Sequence, residues 1–161
     1  MSKGRERLYW DSDCFLGWLQ DEVDEVDACR SVLDEAAAGR VLLVTSALTL
    51  TEVLSLRGKA PIPAAQRDKV QAFFRRSCIA VVNLSRSLAE AARDVVWDHG
   101  IKPKDAIHVA TAVEAKVARL NTFDKQLIAK TGLVGDPRLE ICTPFTQQGA
   151  FDLSKRGGGY G

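Results

Sequence analysis

Residues 40–56 read RVLLVTSALTLTEVLSL, and this stretch decides the fold. Arg40 to Thr45 is short, partly β-branched and apolar from Val41 to Val44, the character of a strand covered on both faces of its sheet. Ser46 then offers a helix cap, and Leu48, Glu52 and Leu56 fall on related turns of the helix that follows.

The same alternation continues on both sides. Upstream, Leu8-Tyr9-Trp10 reads as a short buried strand broken by Asp11-Ser12-Asp13, and Cys14 to Gln20 is apolar enough to start a helix. Val26, Cys29, Val32, Leu33 and Ala36 keep a helical period that Gly39 ends. Downstream, 57–63 is a loop, Ala64–Ser77 a helix with Val70, Phe73 and Phe74 inward, and Ile79–Val82 a second covered strand. Ser85–His99 is a helix closed by Gly100, and Pro103 suits the first turn of a helix running to about Lys116. Val117–Thr122 is a strand, Asp124–Lys130 a short helix and Glu140–Cys142 a last strand. Strand alternating with helix implies an α/β fold around a mainly parallel sheet. One domain is expected over 1–145, with a flexible tail at 146–161 that ends KRGGGYG.

Composition excludes several classes. A chain of 161 residues suits one domain. It buries about two-thirds of its unfolded surface, so it needs neither disulfides nor a structural metal to fold. With 22 Lys+Arg against 21 Asp+Glu the net charge is +1, which excludes nucleic-acid binding by bulk positive charge but not by one face. Cys14, Cys29, Cys78 and Cys142 form no CxxC pair, and His99 and His108 are the only histidines, so the usual zinc sites lack ligands. Reduced thiols fit an intracellular, cytoplasmic protein. The apolar run Val41–Thr51, 11 residues long, is too short to span a bilayer, so no membrane partner is expected.

The near-neutral total hides a split. Residues 11–35 hold nine acids and one arginine, whereas 57–77 hold six Lys/Arg (Arg57, Lys59, Arg67, Lys69, Arg75, Arg76) and one acid, Asp68. The basic stretch suits either a phosphate backbone or a plain solvated helix face. The DEVDEVD run at 21–27 reads as solvated helix, because Val23 and Val26 set its periodicity. Trp10, Phe15, Trp18 and Leu19 suit the core better than an interface.

In open parallel sheets ligands bind beyond the carboxyl ends of the strands. Asp11 and Asp13 follow the first strand, Glu52 lies about two turns after the second, Asp105 sits in the first turn of a helix, and Asp124 follows the fourth strand. Two carboxylates ~4 Å apart repel by about 4 kcal/mol at an effective dielectric of 20, and a hard divalent cation removes that penalty. With oxygen donors and no thiol or histidine partner, the cation is Mg²⁺ or Mn²⁺ rather than Zn²⁺. Taken singly, Asp105 and Asp124 also read as helix caps and Glu52 as a partly buried helix residue. Asp11, which directly ends an apolar strand, is the hardest to explain that way. His108, three residues after Asp105, reads as a packed helix histidine before a catalytic helper.

The acids and their settings resemble the PIN domain family. The stretches that carry the resemblance are Tyr9-Trp10-Asp11-Ser12, Thr45 to Leu54 around Glu52, the DAIHVATA run from Asp105 to Ala112, and Asn121-Thr122-Phe123-Asp124. The resemblance runs from about Leu8 to Cys142 and is similar to VapC-like toxins of type II toxin–antitoxin pairs. It implies a three-layer α/β/α domain with a five-stranded sheet, a Mg²⁺- or Mn²⁺-dependent endoribonuclease, a cognate antitoxin and a homodimer. It further implies Asp11 and Asp105 as central metal ligands. On that reading Glu52 ligates or orients a metal-bound water, and Asp124 completes the shell or holds a second ion. Thr122 supports the site by hydrogen bonding. Asp13 stands where the family often has Ser or Asn, adding an acid, and Phe123 replaces a polar residue. Two rival classes stay open: a catalytically silent PIN scaffold that binds RNA or a protein, and a small phosphotransfer domain with Asp11 as nucleophile.

Overall fold

The computed structural model describes residues 4–19, 26–54 and 61–145. Most of the DEVDEVD run, the positions of Leu56, Arg57 and Lys59, the side chain of Trp18 and the tail 146–161 lie outside the described residues. Within them the strands are β1 (Glu6–Trp10), β2 (Val41–Ser46), β3 (Ile79–Val82), β4 (Arg119–Asn121) and β5 (Glu140–Cys142). The helices are α1 (Ser12–Leu19), α2 (Val26–Ala37), α3 (Thr49–Glu52), α4 (Arg67–Phe74), α5 (Arg86–His99), α6 (Pro103–Glu114) and α7 (Lys125–Ile128). A single 3₁₀ turn, Ala64–Gln66, leads into α4.

The strands form one sheet in the order β3-β2-β1-β4-β5, every pair parallel. Alternation along β1 divides the core. Leu8 and Trp10 join Cys14, Phe15, Cys29, Val32, Leu43, Phe73 and Phe74 on one face. Tyr9 joins Val44, Leu88, Ala92, Val109, Leu120 and Ile141 on the other. Helices α1, α2 and α4 thus cover one face and α5, α6 and α7 the other, a three-layer α/β/α architecture. Trp10 and Phe15 are fully buried, with ring centroids 5.1 Å apart, so both are core residues. No disulfide links the four cysteines; the Cys29 thiol donates to the Cys14 carbonyl oxygen at 3.4 Å. Among the described residues no helix is long and apolar enough to cross a membrane.

Local chemistry sets the boundaries. Ser85 Oγ accepts from the Leu88 amide at 3.2 Å and starts α5. Gly100 ends it with φ 65°, a conformation that costs glycine little. Pro103 opens α6, as its fixed φ and missing N–H allow.

Two expectations need correction. Ser46 is the last residue of β2, and its Oγ takes the Leu48 amide at 3.1 Å, closing a turn before α3, whose N-cap is Leu48. The hydroxyl serves the turn because the strand runs one residue past its expected end at Thr45. Strand β4 is shorter than Val117–Thr122, because the chain is still leaving α6: Lys116 has φ 52° and the Val117 amide bonds back to Ala112 O at 3.4 Å.

Candidate active site

The first and second strands run side by side, and the chain later crosses to place β4 on the other flank of β1. The strand order reverses at that point, the place where open parallel sheets bind ligands beyond their carboxyl ends. Polar side chains gather there although the surroundings are apolar. Asp11, Thr45, Ser46, Thr49, His108, Thr111, Asn121 and Thr122 are all buried. Each sits at or just past the end of a strand or on the helices packed there, where hydrogen bonding keeps their burial tolerable.

Asp11 is 4% exposed, directly after β1 and before α1. Its Oδ1 accepts from the Cys14 amide at 3.3 Å, three residues on, as an N-cap residue does. Burial pushes its pKa up to about 7, and the neighbouring Asp13 pushes the same way; His108 and hydrogen bonds from Thr122 and Cys14 oppose them. Asp13 is half-buried in the first turn of α1.

Asp105 lies in the first turn of α6, half-buried. The N-cap there is Lys102, so Asp105 is not the cap residue its position suggested. Its carboxyl is raised by burial first, then by Asp124, with Asp13 and Glu52 adding to the shift and His108 opposing it. Asp124 is a cap: its Oδ1 accepts from the Gln126 amide at 2.9 Å and the Leu127 amide at 3.4 Å, opening α7. Thr122 Oγ1 in turn takes the Asp124 amide at 3.1 Å, so Thr122 touches both flanking acids. Phe123 packs against the apolar layer of α1 and α2, which accounts for an apolar residue beside Asp124.

Glu52 ends α3, and its Oε1 meets His108 Nε2 at 2.7 Å. His108 Nδ1 meets the Tyr9 hydroxyl at 2.6 Å. The histidine is 1% exposed. It is a packed helix residue, as its position implied, but it is also the link between β1 and Glu52. Tyr9 is the residue that sequence reading missed. The available signal was the alternation Leu8, Tyr9, Trp10, which turns Tyr9 toward the layer holding α6.

Five carboxylates, Asp11, Asp13, Glu52, Asp105 and Asp124, therefore share one electrostatic neighbourhood. Asp11 commits an oxygen to Cys14, Glu52 to His108 and Asp124 to the start of α7. Among the described residues no three His, Cys, Asp or Glu side chains are already arranged to hold a metal ion together. The donor chemistry nevertheless suits a hard cation. All candidate ligands are carboxylate oxygens, and burial first, then repulsion from neighbouring acids, raises Asp11 and Asp105, a penalty that a cation offsets.

The PIN domain family matches residues 8–133, which include most of β1, all of β2, β3 and β4, and all the acids above. The chain belongs to the PIN domain family. Solved structures with this PIN fold include a toxin–antitoxin complex from Klebsiella pneumoniae, 20% identical, TM-score 0.60, covering 86% of this chain and 98% of that one. VapC20 of Mycobacterium tuberculosis, a sarcin-ricin loop cleaving toxin, is 15% identical with TM-score 0.58 over 76% of this chain and 93% of its own. VapBC2 of Rickettsia felis, bound to a DNA fragment from its promoter, is 14% identical with TM-score 0.57 over 84% and 96%. No curated protein matches the chain by sequence. The PIN domain here thus has the expected five-stranded parallel sheet, with its acids at the sheet's carboxyl edge.

Proposed function

We propose that this PIN domain is a metal-dependent endoribonuclease that hydrolyses RNA phosphodiester bonds and acts in the cytoplasm as the toxin of a toxin–antitoxin pair. The observation that carries the reading is the gathering of five buried and half-buried carboxylates at the point where the strand order reverses. A structural role does not call for five carboxylates in one partly buried neighbourhood.

Asp11, Glu52, Asp105 and Asp124 would hold Mg²⁺ or Mn²⁺, with Asp13 as an added acid on the same side. When bound, the cation lowers the pKa of a water and offsets charge on the reacting phosphate. The chain's own residues position the ligands. The Cys14 amide and Thr122 hold Asp11, the amides of α7 hold Asp124, and His108 holds Glu52. Exposed Arg67, Lys69, Arg75 and Arg76 on and just after α4 supply positive charge for an RNA backbone. The similarity to toxin–antitoxin structures supports an antitoxin partner, and a homodimer is the expected assembly.

The test is cleavage of a mixed RNA panel by the purified chain with Mg²⁺, with Mn²⁺ and with EDTA, beside Asp105→Asn. Metal-dependent cleavage lost in the variant establishes the nuclease. RNA binding that ignores both metal and Asp11→Asn, without cleavage, establishes the silent scaffold instead. A covalent aspartyl phosphate on Asp11 would establish the phosphotransfer class.

A further inference from the structure

We propose that His108 is the positioning residue of the site, fixing Glu52 through a buried chain that begins at Tyr9. This rests on the nuclease reading above for what Glu52 does, but not for where it is held.

The geometry is a relay of three side chains from three elements. Tyr9 on β1, His108 on α6 and Glu52 at the end of α3 are joined by contacts of 2.6 and 2.7 Å. These elements are far apart in sequence, with separations of 99 and 56 residues, so the relay is tertiary. An ionised carboxylate only accepts, so the Nε2 proton belongs to His108 and points at Glu52. In the neutral ring that carries its proton on Nε2, Nδ1 is the acceptor, so it takes the proton of the Tyr9 hydroxyl. Tyr9 itself is fully buried. The ring of His108 stands edge-on to that of Tyr9 at a centroid distance of 5.7 Å and cannot swing without breaking both contacts.

Glu52 needs such a brace. Helix α3 is a single turn of four residues, and Leu50 and Leu54 on either side of Glu52 are 39% and 42% exposed. Thr49 and the adjacent Val53 are fully buried and anchor the backbone of this turn, whereas the aim of the carboxylate itself depends on a polar contact. His108 supplies it from α6, the helix that also carries Asp105 three residues earlier. Two acids from separate elements are thereby held to one rigid helix. A donor that orients a ligand carboxylate typically affects metal affinity or activity about 10–100-fold.

The experiment uses the full chain. First, long-range proton–nitrogen NMR of the metal-free wild type reads the histidine tautomers, with His99 as the internal reference. His108 protonated on Nε2 is expected; Nε2 without a proton overturns the proposal, because nothing would then be donated to Glu52. Second, Mn²⁺ affinity is measured by calorimetry for wild type, His108→Leu, His108→Gln and Tyr9→Phe, with melting curves for each. His108→Leu is expected to weaken Mn²⁺ at least about tenfold, and His108→Gln, which keeps a donor near the Nε2 position, to recover most of it. Tyr9→Phe, nearly isosteric, is expected to weaken Mn²⁺ by about threefold and to change the His108 tautomer population. Variants that melt lower but bind Mn²⁺ as wild type does would reduce His108 to a core residue and overturn the proposal. If His108→Leu does not fold, the wild-type tautomer and the Tyr9→Phe affinity decide it. A wild type that binds Mn²⁺ through this relay yet cleaves no RNA would sink the nuclease reading and leave the positioning role standing.

Discussion

The two ends of the sheet treat charge in opposite ways. At the amino ends of the strands, charges of opposite sign meet. Arg40, just before β2, holds Glu35 with contacts of 2.6 and 3.0 Å, and Arg119, at the start of β4, meets Glu6 at 3.0 Å. The Arg40 guanidinium keeps Glu35 below its ordinary value. At the carboxyl ends, five acids of one sign share a partly buried neighbourhood, and burial and mutual repulsion raise Asp11 and Asp105. A fold selected for stability alone has no use for the second arrangement. On the nuclease reading, the carboxyl edge is the place where stability is given up for a metal ion.

The comparison can be broken most forcefully by removing a charge from the acidic end. On the nuclease reading, Asp11→Asn or Asp105→Asn lowers metal-dependent RNA cleavage by at least about a hundredfold, read from initial rates on a labelled RNA. Glu35→Gln at the opposite end leaves those rates unchanged.

Stability should move the other way. In metal-free protein at pH 8, Asp11→Asn raises unfolding free energy by on the order of 2 kcal/mol, measured by denaturant titration, because it removes a buried charge that the fold disfavours. A loss of stability in that variant would mean that the Cys14 and Thr122 hydrogen bonds outweigh the burial and repulsion.

The pH dependence follows from the same sign. The pKa of Asp11 is raised from 3.8 to about 7 in the folded chain, so between those values the native state binds more protons than the unfolded one. Stability contributed by the protonated group is complete below about 4 and is lost as pH rises through about 7. Asp105, also raised, adds to the loss in the same direction. Melting temperature of the metal-free chain should therefore fall from pH 5 to pH 8, and added Mn²⁺ should restore it at pH 8 in a concentration-dependent way. A flat profile would show that the acids are not crowded in solution.

The smallest effect belongs to α4 and the residues just after it. Arg75→Ala and Arg76→Ala should each lower the slope of log affinity against log salt for single-stranded RNA by about 0.7 if the residue meets a phosphate. An unchanged slope returns these arginines to the solvated surface. Arg75 and Arg67 also flank an apolar groove of about 670 Å³ lined by Leu50, Leu54, Ile62, Val70 and Phe74.

Much of this was readable in the residues. The apolar run at Val41–Val44, the breaks at Asp11 and the Ser85 and Gly100 signals follow from local chemistry, so the alternation of strand and helix could be read directly. The positions of Asp11, Glu52, Asp105 and Asp124 after strands or at helix starts were equally visible, since a strand's end is a local event. Roles were harder to read. Asp124 and Asp11 turned out to have cap geometry, whereas Asp105 did not, because capping depends on backbone angles within one turn that composition does not specify.

What the sequence by itself determined is the α/β class, the family and the set of acids. Each depends on contacts within about one turn or one strand, where side-chain type dictates the outcome. The tertiary structure alone decided that β4 lies beside β1, which brings Asp124 toward Asp11 and Asp105. It also decided that Tyr9, His108 and Glu52 form one buried chain. No local rule links residues 9, 52 and 108; the parallel crossovers that pack α3 and α6 over the end of β1 bring them together. Burial then makes their two hydrogen bonds the least costly way to satisfy every polar group.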